Sequence, residues 1–321
     1  MSNIAVIGLG ALNIDHLYRV ERILDDGEAV VGETASFPGG SAANTIYGLA
    51  KLGVSTGFTG VVGDDAGGTI LLDDFQEAGV DISQVKVKPQ AKTGSTLCLS
   101  DSLGKRSIYI MPGANNLLTI DDIDLTYLNQ AMMIHVSSFV DEGQFKMLLE
   151  VMDKLTQSVK ISFSPGALYA AKGLETLAPI LAKTYVLFIN QSEMQQLTGN
   201  NVSAGAESCI RYGCHLVVVT LGKGAGSKTG MATGYIRDGD YEYIVEPSNN
   251  DIVSAPDTTG AGDAFATGFL YGMLKGKNPE VCGLIGDTVA HFSTAKMGAR
   301  QGLPAPHELA QRYQQLYNQE L

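Results

Sequence analysis

Asp257-Thr258-Thr259-Gly260-Ala261-Gly262-Asp263-Ala264-Phe265 combines a glycine-rich turn with the start of a helix that we expect to reach Leu274. In such a turn the backbone N–H groups of residues 260–262 converge at the positive end of the helix, where an anion binds. Asp263 then falls in the first helical turn, close enough to the anion to accept a proton from a hydroxyl group. An ordinary turn in which Asp263 only caps the helix is the alternative interpretation of the same residues.

A second glycine motif lies far upstream, at Phe37-Pro38-Gly39-Gly40-Ser41-Ala42-Ala43-Asn44-Thr45, and a helical run over Ile46 to Leu52 follows it. Two such motifs rarely coincide, so the pair favours a functional site over two ordinary turns. Three shorter signals accompany them, namely Asn13 with Asp15, Asn190-Gln191-Ser192-Glu193, and Thr220-Leu221-Gly222. On these motifs the chain resembles the ribokinase family, also called the PfkB carbohydrate kinases, from about Ile4 to about Pro304.

The resemblance implies an ATP-dependent kinase that transfers the γ-phosphoryl group to a primary hydroxyl of a sugar or nucleoside. It makes Asp263 the general base and gives the phosphate its N–H donors from Gly260, Ala261 and Gly262. Phosphoryl transfer depends mostly on positioning and on cancelling charge at the equatorial oxygens, so donors, a metal clamp and a base are the parts to look for. All three have candidates in the sequence.

The acceptor site implied by the resemblance is formed by residues near the N-terminal end. Vicinal hydroxyls need paired donors and acceptors in a confined space, which a carboxylate with amides provides. Two adjacent glycines would let a ring approach the backbone. The positions that match the family pattern are Asn13, Asp15, Gly39, Gly40 and Asn44.

The nucleotide and the metal ions have their own candidates. The resemblance assigns nucleotide contacts to Asn190, Thr220 and Gly222, and a water-mediated Mg²⁺ site to Asn190 with Glu193. The alternative for this last pair is a helix start in which Asn190 caps and Glu193 completes a capping box. Asp257 and Thr259, with carbonyls near Gly298-Ala299, are the implied K⁺ site.

Short apolar, β-branched runs alternate with amphipathic segments along most of the chain, which predicts an α/β fold with a parallel sheet. The strand runs cover residues 4–7, 56–62, 132–136, 160–163, 185–189 and 216–220. The resembling family adds detail: a doubly wound, mostly parallel sheet with helices on both faces, as a single domain over residues 1–321. Strands without helices over about 14–37 and 93–112 would form a small β-sheet lid, and the resemblance implies a homodimer through that lid. We expect a hairpin around Asp101-Ser102-Leu103-Gly104.

Composition excludes several function classes. The formal net charge of −12 leaves no broad basic surface for a nucleic acid or an anionic membrane. Cys98, Cys209, Cys214 and Cys282 have no metal-pair spacing, so we expect free thiols. The apolar run from Ile4 to Ile14 is short and contains glycines, which does not fit a signal peptide or membrane span. We therefore expect a cytoplasmic protein.

The sequence is compatible with more than one class of phosphoryl acceptor. Ser41 stands where ribokinases proper commonly carry lysine, so a nucleoside kinase is a rival within the family. A phosphosugar kinase should show a cation in the acceptor site, and Arg106 in the lid hairpin is the visible candidate. From a different class, a non-catalytic nucleotide- or sugar-binding protein on a kinase fold would keep the same motifs. The intact Asp263 and its glycines argue against that last interpretation.

Overall fold

We describe the fold from a computed structural model over residues 4–101, 106–226, 231–239, 241–247 and 257–321, without the side chains of 223–226. Strands and helices alternate over most of these ranges, as the sequence predicts. The strands of the larger sheet are β1 (Val6–Leu9), β4 (Thr56–Gly63), β5 (Asp81–Lys88), β8 (Met133–Ser137), β9 (Lys160–Ser164), β10 (Thr184–Asn190), β11 (Leu216–Gly226), β12 (Met231–Asp238) and β13 (Tyr241–Val245), and those of the smaller sheet are β2 (Asn13–Val20), β3 (Val31–Gly39), β6 (Gly94–Asp101) and β7 (Arg106–Met111).

Helices connect these strands on both faces of the larger sheet. They are α1 (Ser41–Lys51), α2 (Ala66–Ala78), α3 (Leu125–Leu128), α4 (Glu142–Lys154), α5 (Gly166–Ala170), α6 (Gly173–Leu181), α7 (Gln191–Thr198), α8 (Val202–Arg211), α9 (Ala261–Leu274), α10 (Pro279–Thr294) and α11 (Pro306–Tyr317). Short 3₁₀ turns cover Gly113–Leu117 and Ile120–Asp122. The expected strands are all present, and β11 continues six residues beyond the predicted end at Thr220.

The larger sheet has the order β13-β12-β11-β10-β9-β8-β1-β4-β5. Its pairs from β11 to β5 are parallel, whereas β12 and β13 are antiparallel additions at one edge. Alternate residues of β10 show how both faces are covered: Val186 and Phe188 pack with α1, α2, α9 and α10, while Leu187 and Ile189 pack with α4 to α8. The sheet is therefore doubly wound and mostly parallel, which confirms the predicted fold class.

The smaller sheet has the order β3-β2-β6-β7 and is the expected lid. Strands β2 and β6 pair in parallel, and they join the two segments that the sequence marked as helix-free. Strands β6 and β7 pair antiparallel, as a hairpin requires, although the predicted turn at 102–104 lies outside the described residues. Its strand β2 begins at Asn13, just beyond the end of β1, so the lid stands directly over the carboxyl edge of the larger sheet.

Two other sequence expectations concern cysteines and membranes. All four cysteines are buried free thiols, in agreement with the prediction. Within the described ranges, no helix has the length and apolar character needed to cross a membrane.

Candidate active site

The predicted nucleotide residues lie side by side at the carboxyl edge of the sheet. Asn190 ends β10 and is paired in register with Thr220 on β11. The amide oxygen of Asn190 accepts the N–H of Glu193 at 2.8 Å, and Glu193 Oε2 accepts the N–H of Asn190 at 3.1 Å. The capping box that the sequence left open is thus formed, and it fixes Glu193 above the strand ends. Burial raises the pKa of Glu193, with its bonds to Asn190 acting in the opposite direction.

The glycine turn before α9 has the form expected of an anion site. Gly260 caps the helix with a φ of 73°, in the left-handed region that favours glycine. A Cβ at Gly260 would lie 2.4 Å from the Ala299 Cβ, so the turn is closed on that side. A Cβ at Gly262 would meet no atom within 4 Å apart from its own helix turn, so the space beside this residue is open. The N–H of Ala261 donates to the Thr258 carbonyl at 3.3 Å. The open space at Gly262 leaves room for an anion beside this positive helix end.

Asp263 lies in the first turn of α9 and is held from the other glycine motif. Ser41 Oγ donates to Asp263 Oδ1 at 2.7 Å, and Asn44 Nδ2 donates to Oδ2 at 2.9 Å. Both donors lie on α1, 222 and 219 residues away in the sequence. The backbone oxygen of Asp263 also accepts a bond from Thr267 Oγ1 at 2.9 Å, which anchors the helical turn. The two glycine motifs thus meet at this carboxylate.

The surroundings of Asp263 tune its proton affinity. Burial raises the pKa of Asp263 to about 7, while the bonds from Asn44 and Ser41 pull it down and the charges of Asp15 and Glu193 push it up. A carboxylate with a pKa near neutrality holds a proton far more readily than an exposed aspartate does. Such a group is suited to accept a proton from an alcohol near pH 7.

The predicted acceptor residues surround the first lid strand. Asp15 is buried, and its Oδ1 accepts the Thr96 hydroxyl at 2.7 Å. Burial raises the pKa of Asp15 despite that bond. Asn13 Oδ1 accepts Asn115 Nδ2 at 2.9 Å, so the Gly113-Ala114-Asn115 segment closes against β2. The lid therefore brings a carboxylate and two amides into one small region.

Gly39 ends β3 beside Asn13 of β2, and Gly40 follows it as the residue that caps α1. A Cβ at Gly39 would lie 2.1 Å from Asp15 Oδ2, so only glycine leaves that carboxylate in place. Gly40 has a φ of 102°, and a Cβ there would lie 2.2 Å from the carbonyl oxygen of Ala11. Both glycines are therefore required by contacts within the protein itself.

Asp257 ties the second glycine turn to a distant loop. Its Oδ1 accepts the N–H and the hydroxyl of Thr259, at 2.9 and 2.7 Å, and its Oδ2 accepts the N–H of Gly298 at 2.9 Å. The three parts of the predicted K⁺ site are thus adjacent. Among the described residues, no cluster of three or more His, Cys, Asp or Glu side chains could hold a metal ion.

Sequence reasoning missed several polar residues of the site. Thr96 was not singled out, and neither was Arg300, a buried arginine that bonds Asn44 Oδ1, Asp74 and the Gly39 carbonyl. The sequence distinguishes Ser41 only because it stands where ribokinases proper commonly carry lysine. Each lies far in sequence from its partner, and no local spacing marks it. Among the described residues, no hydrogen bond joins Asn190 or Glu193 to Asp263. The charge of Glu193 nevertheless contributes to the raised pKa of Asp263.

Comparisons with known proteins identify the family of this chain. The pattern of the pfkB family carbohydrate kinases matches residues 1–306. An uncharacterized sugar kinase of Archaeoglobus fulgidus is 37% identical over 80% of this chain and 98% of its own length. An ATP-dependent ribose-1-phosphate kinase of Halopiger xanaduensis is 29% identical over 92% of this chain and 94% of its own.

The solved structures include the ribokinase of Thermotoga maritima, which superposes with a TM-score of 0.81 at 25% identity and covers 97% of this chain and 99% of that one. Likeness at this level over both chains confirms the ribokinase-like fold, and the matched relatives support a phosphotransferase with an alcohol acceptor. The chain is a member of the pfkB family of carbohydrate kinases.

Proposed function

We propose that this kinase transfers the γ-phosphoryl group of ATP to a primary hydroxyl of a sugar or nucleoside, with Asp263 as the general base. The observation that carries the proposal is the position of Asp263. It lies in the first turn of α9, beside the open space at Gly262, and is held by Ser41 and Asn44 of the acceptor motif. A base that contacts both motifs stands where the attacking hydroxyl and the phosphate must meet.

Different parts of the site would bind the phosphoryl group, accept the proton and hold the acceptor. The N–H groups of residues 260–262 would bind the transferred phosphoryl group, and their fixed orientation costs no reorganisation as charge develops there. Asp263 would take the hydroxyl proton as the new P–O bond forms. Asp15 and Asn13 would hold neighbouring hydroxyls of the acceptor, which turns its reactive oxygen towards Asp263.

The charges of the site fit a divalent cation. Asp15, Glu193 and Asp263 are close enough for the charges of the first two to raise the pKa of the third. Negative charge on this side of the site, added to that of the nucleotide phosphates, favours a cation beside the phosphates. Asn190 and Glu193 are the residues that we expect to hold Mg²⁺ through water, and the ion would neutralise phosphate charge when bound. The Asp257 and Thr259 pair remains our proposed K⁺ site, where an ion would steady the turn.

One observation favours a second candidate acceptor, a sugar that carries a phosphate or carboxylate. Arg106 at the start of β7 reaches across the cleft, and its two terminal nitrogens donate to the hydroxyls of Thr258 and Thr259, each at 2.8 Å. Among the described residues, no carboxylate lies within ion-pair distance of Arg106. Burial raises the pKa of Asp15, and the charge of Arg106 acts in the opposite direction, so the guanidinium is within electrostatic range of this acceptor residue. The similarity to a ribose-1-phosphate kinase supports this candidate.

The first experiment measures ADP release by the purified protein with MgATP and KCl across neutral sugars, phosphosugars, sugar acids and nucleosides. Release with one class identifies the acceptor, and ATP binding without release for any acceptor would favour the binding-protein alternative. Arg106→Gln then separates the two candidates. If Arg106 recognises acceptor charge, KM for the anionic acceptor rises at least about tenfold while neutral acceptors are unaffected. An equal fall of kcat for every acceptor would instead place Arg106 on the donor phosphates.

We also propose a homodimer through the lid. The outer lid strands and the residue before β3 expose apolar side chains that a monomer would leave in water: Val30, Val31, Ile108, Tyr109 and Ile110. Sedimentation of the wild type and of Ile108→Lys tests this, because a dimer through this surface should dissociate in the variant. The cytoplasmic location stays a prediction from the sequence.

A further inference from the structure

Arg300 follows α10 and is only 2% exposed, although it carries a full charge. Its guanidinium makes three bonds to three separate segments. One terminal nitrogen donates to the Asp74 carboxylate, the other to the Gly39 carbonyl at 3.1 Å, and Nε donates to Asn44 Oδ1 at 2.9 Å. Burying a charge is costly unless bonds of this kind compensate it, so the position is a built feature of the site.

Two aromatic rings pack beside this guanidinium. The ring centroids of Tyr47 and Phe75 each lie 5.1 Å from the central carbon of Arg300. Rings and bonds together leave Nε aimed at Asn44. The orientation of the arginine is therefore set by packing that does not involve Asp263.

The bond to Arg300 determines which way the Asn44 amide points. A side-chain amide can rotate to exchange its oxygen and its nitrogen, and the two arrangements have almost the same shape. A guanidinium has only donors, so the amide oxygen must face Arg300. The amide nitrogen then has to face Asp263, where it donates to Oδ2 at 2.9 Å. Arg300 thereby determines that the Asn44 amide donates a hydrogen bond to Asp263 and does not accept one from it.

We propose that Arg300 is a positioning residue that fixes the Asn44 amide as a donor and so keeps Asp263 in its proton-accepting form. This inference rests on the proposed function, in which Asp263 is the base. A hydrogen bond donated to a carboxylate stabilises the ionised state. Without Arg300 the amide is free to turn its oxygen to Asp263, where it would accept a bond from the protonated acid instead.

The other groups that face Asp263 make this donor important. The carboxylates of Asp15 on β2 and Glu193 on α7 both raise its pKa, as does burial. The groups that act in the opposite direction are Asn44 and Ser41, both on α1. Loss of one of these two donors should raise the pKa of Asp263 further, and the fraction of ionised base at neutral pH should fall.

The test is the pH dependence of kcat/KM between pH 5.5 and 9.5, at saturating Mg²⁺, for the wild type and two variants. Arg300→Gln offers both a donor and an acceptor to Asn44, so it no longer fixes the amide. Its acid limb should move up by about one pH unit, with a loss of about tenfold at pH 6.5 and a smaller loss at pH 9. Arg300→Lys has donors only, so its acid limb should stay with that of the wild type even if its rate is lower.

Asp74→Asn is the matched control. It removes the charge partner of Arg300 while keeping an oxygen acceptor, so we expect a lower Tm and an unchanged acid limb. A uniform loss of rate in Arg300→Gln, with the wild-type acid limb, would show a purely structural role and overturn the inference. If Arg300→Gln fails to fold, Arg300→Lys decides: a displaced acid limb in that variant contradicts the inference. Absence of kinase activity in the wild type with every acceptor would instead overturn the proposed function.

Discussion

The two glycine motifs look alike in sequence, but one glycine of each, Gly40 and Gly262, has the opposite surroundings in the fold. A Cβ at Gly40 would lie 2.2 Å from a backbone oxygen, whereas a Cβ at Gly262 would meet no atom within 4 Å. The first motif is glycine-rich because the protein itself fills the space at Gly39 and Gly40. In the second motif Gly260 is enclosed in the same way, and it is Gly262 that leaves its space open, as a site for a ligand would. Asp263 is part of the second motif and accepts hydrogen bonds from Ser41 and Asn44 of the first.

The largest effect should come from the residue that joins the two motifs. Asp263→Asn should lower turnover at least about a hundredfold, because general-base removal usually costs this much or more. The fold should persist, because an amide can still accept from Asn44 while donating to Ser41. Turnover is measured with the acceptor that the ADP-release assay identifies.

A helix-capping acid elsewhere provides the control for this change. Asp141 caps α4 and accepts the N–H of Gly143 at 2.7 Å. Asp141→Ala should lower the Tm and leave turnover intact, which is the behaviour that Asp263→Asn would show if Asp263 were only a cap. Retained turnover in Asp263→Asn would refute its role as base.

The next effect concerns Gly40 in the first motif, where the protein fills the space. Gly40→Ala should lower the free energy of unfolding by at least about 2 kcal/mol, because alanine is strained at a φ of 102° and its methyl group meets the Ala11 carbonyl. Urea unfolding monitored by circular dichroism measures this. A variant as stable as the wild type would remove the contrast between the two motifs.

Substitution of Gly262, where the space is open, should have the opposite effect on stability. Gly262→Ala should leave the stability unchanged or slightly higher, because alanine favours a helix by up to about 1 kcal/mol over glycine. Its methyl group would enter the space proposed for the phosphate, so we expect KM for ATP to rise by about tenfold. An unchanged KM would show that the open space at Gly262 does not hold the nucleotide.

Sequence patterns predicted the strands of this molecule more fully than the hydrogen bonds between side chains in its candidate site. Runs of β-branched residues located β4, β8, β9 and β10 to within one or two residues, because burial on both faces demands such runs. Motifs also located Asp263 and the residues around it. They could not reveal Arg300, which meets Asn44 across 256 residues, or Thr96, which meets Asp15 across 81. Such contacts depend on packing between elements, and a single polar residue carries no periodic signal.

The last effect is the dependence of stability on pH, and it measures the cost in folding free energy of burying the Asp263 carboxyl group. Folding raises the pKa of Asp263 from 3.8 to about 7, so between these values the folded state keeps a proton that the unfolded state releases. The free energy of unfolding therefore falls as pH rises through this window, by at most about 1.4 kcal/mol per pH unit from this group. Asp263→Asn lacks the titration, so its Tm relative to the wild type should increase from pH 4 to pH 7 and then level off. Thermal melts of both proteins in matched buffers give this difference, since the other titrating groups act equally in both. A difference in Tm that does not vary with pH would mean that Asp263 titrates as an ordinary exposed carboxylate, and the contact between the two motifs would then lose its electrostatic consequence.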